Sequence, residues 1–343
     1  MRVALDTNPL YASRAGVARY VRGLRQSLRE LTPADLELWE LGWAVENFGF
    51  AQPARALKTA WRELVWSPLV APRQMRAADL VHHTYGPLMP LVQGPRHVIT
   101  LHDLALLRHP ERFRRWHRLA GRRSLRCLTQ ADRIICVSRF TADEAINLLG
   151  LPAARLEVIH LAPTLAAREE AVPGLSEEFY LFVGSLEPGK NLAFLNALWR
   201  EAGPALPPLV IVGARWTGVA GESAPPPNWI YLGHQSDAAL LGLYRRARAL
   251  LFPSLYEGFG LPPLEAMAAG CPVICAPRAS LPEVVGDAAS MVELDTQRWR
   301  QAMEAVARDA EAWRQRGRQR AREFSWERCA RETVAIYRTV LGA

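Results

Sequence analysis

ALLFPSLYEGFGLPPLEAMAAGCPVICA, residues 249–276, decides how this chain is read. An apolar run, ALLF, gives way to the loop PSLYEGFG. LPPLEAMAAG then carries proline in its first turn and closes on Gly270, which is how a short helix starts and stops. PVICA follows as a second apolar run. Strand, loop, helix and strand in that order make one βα unit of a doubly wound parallel sheet. Glu257 stands in the loop and Glu265 in or beside the first helical turn, while Gly258 and Gly260 flank Phe259 and free the backbone for close approach to a ligand.

The same alternation runs along the rest of the chain. RVALD, LELWEL, DLVHHT, HVITLHD and RIICVS punctuate helical patterns in the first half; YLFVG, PLVIVG, WIYLG, ALLF and PVICA do so in the second. Two parallel sheets follow, and 343 residues suit two domains of roughly 150 to 170 residues each. Periodicity lapses over residues 162–179, where Pro163 and Pro173 bracket a charged stretch. The expected organisation is therefore an N-terminal domain over 1–165, a second over 166–324, and a C-terminal helix over 325–343. In that helix Trp326, Ala330, Thr333, Tyr337 and Val340 recur at three- and four-residue spacing.

Half the residues are hydrophobic and 22% are charged, and no apolar run reaches the ~20 residues of a membrane span. The N-terminal sequence lacks a signal-peptide pattern, and Cys127, Cys136, Cys271, Cys275 and Cys329 form neither a metal spacing nor an even set. The expected setting is reduced and cytoplasmic, with room for peripheral attachment at the inner face of the cell membrane. The formal charge is +8, carried almost wholly by arginine; Lys58 and Lys190 are the only lysines. A basic balance favours anionic partners, although arginine-rich composition also follows from GC-rich coding.

In open parallel sheets ligands sit outside the carboxyl ends of strands, where loops lead into helices. Gly16 precedes one such helix and lets the backbone approach an anion at the helix end. Lys190 opens another, after the turn at Pro188 and Gly189. A cation there opposes the helix dipole, so a bound phosphate would restore the balance. The spacing is not that of a Walker loop. As for the glutamate pair, a glycosidase needs two carboxyls flanking one bond, usually from separate elements. One loop and the helix after it more naturally hold two parts of an elongated ligand, each carboxylate accepting two hydrogen bonds from a diol such as a ribose or a hexose.

The ordered set AGVARY, LHD, VSRFT, FVGSLEPGKNL, YLGH and SLYEGFGLPPLEAMAAG resembles the retaining family-4 glycosyltransferases of GT-B fold, in their bacterial mannosyltransferase-like branch. The likeness runs along nearly the whole chain and implies two Rossmann-like domains facing a cleft, the first binding the acceptor and the second the nucleotide-sugar donor, with the C-terminal helix packing back on the first. It implies that Glu265 holds the nucleotide ribose and that Glu257 meets the donor sugar hydroxyls with the backbone of Gly258, Phe259, Gly260 and Leu261. Lys190 and the Gly16 loop would then take the diphosphate, His102 would face the transferred sugar, and the backbone near Gln235 would meet the base. One departure is Gly189, where many relatives have an arginine beside the lysine.

The function so implied is retaining transfer of a hexose, mannose first, from a GDP- or UDP-linked sugar to a saccharide or lipid-linked saccharide in cell-surface polysaccharide or glycolipid synthesis. No Asp-X-Asp motif is present and no metal or other cofactor is expected, so lysine, amides and helix dipoles must neutralise the leaving diphosphate. No carboxylate is placed as a nucleophile, and the resemblance implies front-face substitution, the departing phosphate taking the acceptor's proton. The alternatives are a sugar-nucleotide epimerase or phosphorylase on the same fold, or a non-catalytic sugar-nucleotide-binding subunit. Residues 108–126, arginine-rich with Phe113, Trp116, Leu119 and Leu125 interspersed, read either as a solvated helix face or as a contact with an anionic membrane. No nucleic-acid-binding motif is present. In VSRFTADEA, Thr141 and Glu144 read as a capping box.

Overall fold

A computed structural model describes residues 1–12, 16–31, 35–43, 57, 58, 60–86, 91–113, 115–175, 178–214 and 225–342. The chain divides into two compact units, Met1–Ala162 with Ser325–Ala343, and Pro163–Phe324.

The first unit is built on six parallel strands: β1 (Arg2–Asp6), β2 (Glu37–Leu41), β3 (Leu80–His83), β4 (Arg96–Leu101), β5 (Arg133–Cys136) and β6 (Leu156–Val158). Their order is β2-β1-β3-β4-β5-β6. Val3, Ala4, Leu5, Leu80, Val81, Val98 and Ile99 are all buried, as expected of strands covered on both faces. From β1 the chain goes to one side for β2 and to the other for β3, so the order reverses between β1 and β3. Helix α1 (Gly16–Leu31) presents Tyr20, Val21, Leu24 and Leu28 to the interior at helical spacing.

Against α1 lies the C-terminal helix, Trp326–Leu341, whose N-cap Ser325 accepts from the Arg328 amide at 3.1 Å. Gly23 of α1 lies so close to the Trp326 indole that a Cβ there would overlap the ring. Beneath this contact runs a buried polar chain. Tyr337 Oη meets His82 Nδ1 at 2.6 Å, His82 Nε2 meets Thr100 Oγ1 at 2.8 Å, and Thr100 Oγ1 meets Tyr20 Oη at 2.8 Å. Burial lowers the pKa of His82 to about 3, so its imidazole is neutral.

The second unit repeats the plan with β7 (Tyr180–Val183), β8 (Leu209–Val212), β9 (Trp229–Gly233), β10 (Leu250–Phe252), β11 (Val273–Cys275) and β12 (Ser290–Met291), in the order β12-β11-β10-β7-β8-β9. Its reversal lies between β7 and β10. Phe182, Leu195, Trp199, Leu251, Ile274 and Trp299 centre its core.

Two differences from the sequence reading concern local structure. β6 and β12 have no counterpart in it: LEV and SM are edge strands of three and two residues, too short to show a period. Helix α2 (Arg139–Leu149) is capped by Ser138, whose Oγ accepts from the Thr141 amide at 3.0 Å, and Thr141 is not the cap. Glu144 is paired from outside the helix. Its carboxylate receives Arg108 Nε at 3.0 Å and Nη2 at 2.5 Å, a bidentate pairing stronger than a capping bond.

Candidate active site

In the second unit β7 and β10 are hydrogen-bonded neighbours at the reversal, so the loops after their carboxyl ends emerge side by side. The β7 loop passes through a 3-10 turn, Pro188–Lys190, and a left-handed Asn191 into α3 (Leu192–Ala202). The β10 loop runs from Pro253 to Gly260. The Leu255 amide donates to the Gly189 carbonyl at 2.8 Å and ties the two together. Across this seam Lys190 Nζ donates to Glu257 Oε1 at 2.5 Å, the two side chains only 14% and 11% exposed. The ammonium also lies 5.5 Å from the centre of the Phe252 ring. Lys190 thus differs from the sequence reading: Glu257, 67 positions away, supplies the countercharge that the helix start lacks.

The loop form is held from behind. Ser280 Oγ, fully buried, is shared between the carbonyls of Glu257 at 3.0 Å and Phe259 at 2.8 Å. Gly260 has φ 107° as it enters α4 (Leu261–Ala269), and a Cβ there would stand 2.8 Å from Leu281 Cδ2. Pro262 and Pro263 carry no N–H, so the amides this helix end can offer are those of Gly260 and Leu261. Glu265 is the fifth residue of α4 and 2% exposed. Gln235 follows β9 at the sheet edge, where its Nε2 donates to the Leu232 carbonyl at 2.8 Å; its side chain serves its own loop.

Gly16 and His102 belong to the first unit. Gly16 is the exposed first residue of α1. His102 follows β4, and its Nε2 lies 2.9 Å from the Thr84 carbonyl, which can only accept, so Nε2 carries the hydrogen. Tyr20 stands edge-on to the imidazole at 5.0 Å and Tyr85 lies across it at 6.2 Å. Burial lowers its pKa, which leaves a neutral ring with Nδ1 as an acceptor.

Thr84 follows β3 and is buried; its Oγ1 donates to the Asp6 carbonyl at 2.6 Å. Asp6 Oδ1 in turn accepts from the Asn8 amide at 3.0 Å and from Asn8 Nδ2 at 2.9 Å, while Asn8 Oδ1 accepts from the Trp43 amide at 3.1 Å. The ends of β2, β1, β3 and β4 are thereby laced into one rim. Desolvation pushes the Asp6 carboxyl up to about 6. Asp6, Thr84 and Ser280 are absent from the sequence reading. The only signal for Asp6 is its place as the polar end of the apolar run RVALD.

Among the described residues no helix is long and apolar enough to cross a membrane, and no group of three His, Cys, Asp or Glu side chains is arranged to hold a metal ion. All five cysteines are buried and none is in a disulfide. Of the stretch 108–126, Arg108 is committed to Glu144 and Leu125 packs on the core around Ile99 and Leu128. Arg114 and the side chains of Trp116 and Leu119 lie outside the described residues.

Two family patterns cover the chain: Glycosyltransferase Family 4 over residues 14–162, and Glycosyl transferases group 1 over residues 166–323. The chain is 34% identical over 273 residues to the O-antigen chain mannosyltransferase B of Escherichia coli, covering 71% of this chain and 70% of that one. It is 29% identical over 250 residues to the D-inositol 3-phosphate glycosyltransferase of Segniliparus rotundus, spanning 65% of this chain and 55% of that relative's length. In fold it is similar to Anabaena HepE in complex with UDP-glucose, with a TM-score of 0.71 at 15% identity, covering 99% of this chain and 100% of that one. It is similar also to the sucrose-phosphate synthase of Thermosynechococcus elongatus, with a TM-score of 0.73 at 19% identity, covering 100% and 99%.

Proposed function

The chain belongs to the family-4 glycosyltransferases of GT-B fold, and on that footing we propose that it transfers a hexose, mannose first, from a GDP- or UDP-linked donor to a saccharide or lipid-linked saccharide, with retention and without a metal ion. The observation that carries the reading is the Lys190–Glu257 pair at the β7/β10 reversal, where a parallel sheet receives its ligand. A cation and a carboxylate that hold each other can separate onto the two halves of a donor. Lys190 goes to the diphosphate as negative charge grows on the leaving group, and Glu257 to the sugar, whose anomeric carbon becomes positive. The Gly260 and Leu261 amides at the start of α4 add fixed dipoles for the donor, and the Gly258–Phe259 backbone lies against the sugar.

In the same reading Glu265 accepts from the ribose hydroxyls, the loop at Gln235 takes the base, and Gly16 joins Lys190 on the diphosphate. His102, neutral, accepts from a sugar hydroxyl through Nδ1. No carboxylate is assigned as a nucleophile; the leaving phosphate takes the acceptor's proton on the face it departs from. A role in cell-surface polysaccharide or glycolipid synthesis, and contact with an anionic membrane through 108–126, belong to the same proposal.

The test is incubation with a panel of GDP- and UDP-sugars, each with and without saccharide acceptors, followed by product analysis. Acceptor-dependent release of nucleoside diphosphate with a new glycosidic bond is expected. Epimerised donor, or donor bound and returned unchanged, would replace this reading by an epimerase or a binding subunit.

A further inference from the structure

The loop that carries Glu257 is held at its back by a residue of another helix. Phe259 is buried, and its ring meets that of Phe324 edge to face, the centres 6.0 Å apart and the planes at 76°. The guanidinium of Arg320 lies 5.1 Å from the centre of the Phe324 ring. Arg320 belongs to α6 (Ala310–Ala321), which packs on α4, with Gly317 so close to Met267 that a Cβ would stand 3.2 Å from its Cγ.

The same guanidinium has a second attachment. Its Nε donates to the Val284 carbonyl at 3.0 Å and its Nη2 to the Glu283 carbonyl at 2.6 Å, both near the end of α5 (Leu281–Val285), while Nη1 pairs with Glu323. So short a helix does not hold its own form. The chain also approaches it through Ala279, left-handed at φ 54°, a conformation that strains a residue with a Cβ. Yet the start of α5 is what fixes the loop, with Ser280 Oγ on the carbonyls of Glu257 and Phe259 and Leu281 beside Gly260.

Arg320 therefore reaches the loop by two routes, through Phe324 to the Phe259 ring and through α5 to Ser280. Capping a helix end needs only a cation near the last carbonyls. A planar fork whose Nε, Nη1 and Nη2 are all engaged beside an aromatic ring needs arginine. We propose that Arg320 is a positioning residue for the transfer reaction, keeping the Glu257–Gly260 loop in the form that presents Glu257 to the donor sugar. The proposal rests on the transferase reading, which puts Glu257 at the sugar.

The first measurement is amide hydrogen exchange over residues 254–261 in wild type, Arg320→Met and Arg320→Lys. Methionine keeps an apolar stem and lysine the charge, but neither restores the fork, so the loop should exchange roughly tenfold faster or more in both, with β7 and β8 unchanged. Unaltered exchange in the loop, or acceleration spread evenly over the second unit, overturns the proposal. The second is a double-variant cycle on kcat for transfer from GDP-mannose and UDP-glucose to methyl α-mannoside, with GDP and UDP affinity measured alongside. Arg320→Met should lower kcat roughly tenfold or more without weakening either nucleotide. In the Glu257→Gln background the same change should cost less than about twofold, because the group it positions is already gone. Equal costs in the two backgrounds would mean that Arg320 only stabilises the fold, and would overturn the proposal. Where Arg320→Met does not fold, Phe324→Leu removes the ring contact, keeps apolar volume and carries both measurements with the same signs. Full turnover in Glu257→Gln, or a wild type that binds neither GDP nor UDP, sinks the transferase reading and the proposal with it. A loss in Glu257→Gln to which the Arg320 loss simply adds sinks the proposal alone.

Discussion

Replacing Glu257 by glutamine should tighten the grip on a bare nucleoside diphosphate. Lys190 and Glu257 are 2.5 Å apart and nearly out of water, so the ammonium proposed to meet the diphosphate is already engaged. A hydrogen bond to a charged group contributes roughly 1.5–3 kcal/mol. In the wild type a phosphate oxygen must share the ammonium with the carboxylate and face its negative charge, so part of the gain is offset. Glutamine keeps an acceptor oxygen without the charge, so the exchange then favours the phosphate by about 1.4 kcal/mol, a tenfold gain in affinity. Turnover should move the other way if Glu257 faces the sugar as proposed, because a carboxylate is then lost where positive charge develops. Lys190→Ala should raise the dissociation constant about tenfold or more, because it leaves the Glu257 carboxylate unpaired against the phosphate. Calorimetric titration of GDP and UDP into wild type, each single variant and the double variant gives the full cycle. Weaker or unchanged diphosphate binding in Glu257→Gln would refute the exchange.

Gly23→Ala should lower the melting temperature, since its new Cβ overlaps the Trp326 ring and overpacking costs about 1–3 kcal/mol; an unchanged transition contradicts the docking of the C-terminal helix on α1. Acid should destabilise the first unit. His82 and His83 are held down to about 3 by burial, below their unfolded values near ~6.5, so their contribution is complete above that pH and is lost as pH falls through it toward 3. Asp6 works oppositely: raised to about 6, it favours the fold at low pH and loses that contribution as pH rises through 6, but it is one group against His82, His83, His97 and His102, all lowered by burial. Equal denaturant midpoints at pH 7 and pH 5 would contradict this balance. Excess EDTA should leave transfer intact, and loss of activity restored by a divalent cation would assign the countercharge to a metal instead of Lys190.

The two parallel sheets are legible because buried strands such as RVALD and YLFV are continuous apolar runs between helical periods, whereas LEV and SM at the sheet edges are not. The loop–helix form of 253–269 is equally plain, since its glycines and prolines each have a local backbone reason. What the sequence leaves dark is pairing across the fold. Lys190 and Glu257 meet because β7 and β10 are neighbours in space, and nothing in either segment names the other. Glu144 fits a capping pattern locally and is taken instead by Arg108, a partner 36 positions away. Asp6 and Thr84 look like ordinary strand ends until the sheet order puts the Thr84 hydroxyl on the Asp6 carbonyl and the Thr84 carbonyl on His102. Ser280 shows its use only once the loop it holds is folded.

Stereochemistry is the most direct test of the central claim. With the α-configured donor that serves, GDP-mannose or UDP-glucose, the anomeric one-bond carbon–hydrogen coupling of the product reports the new linkage. The front-face reaction proposed for the Lys190–Glu257 site, with departure and attack on one face of the sugar, predicts an α-linked product. A β-linked product would mean attack from the opposite face and would contradict the account.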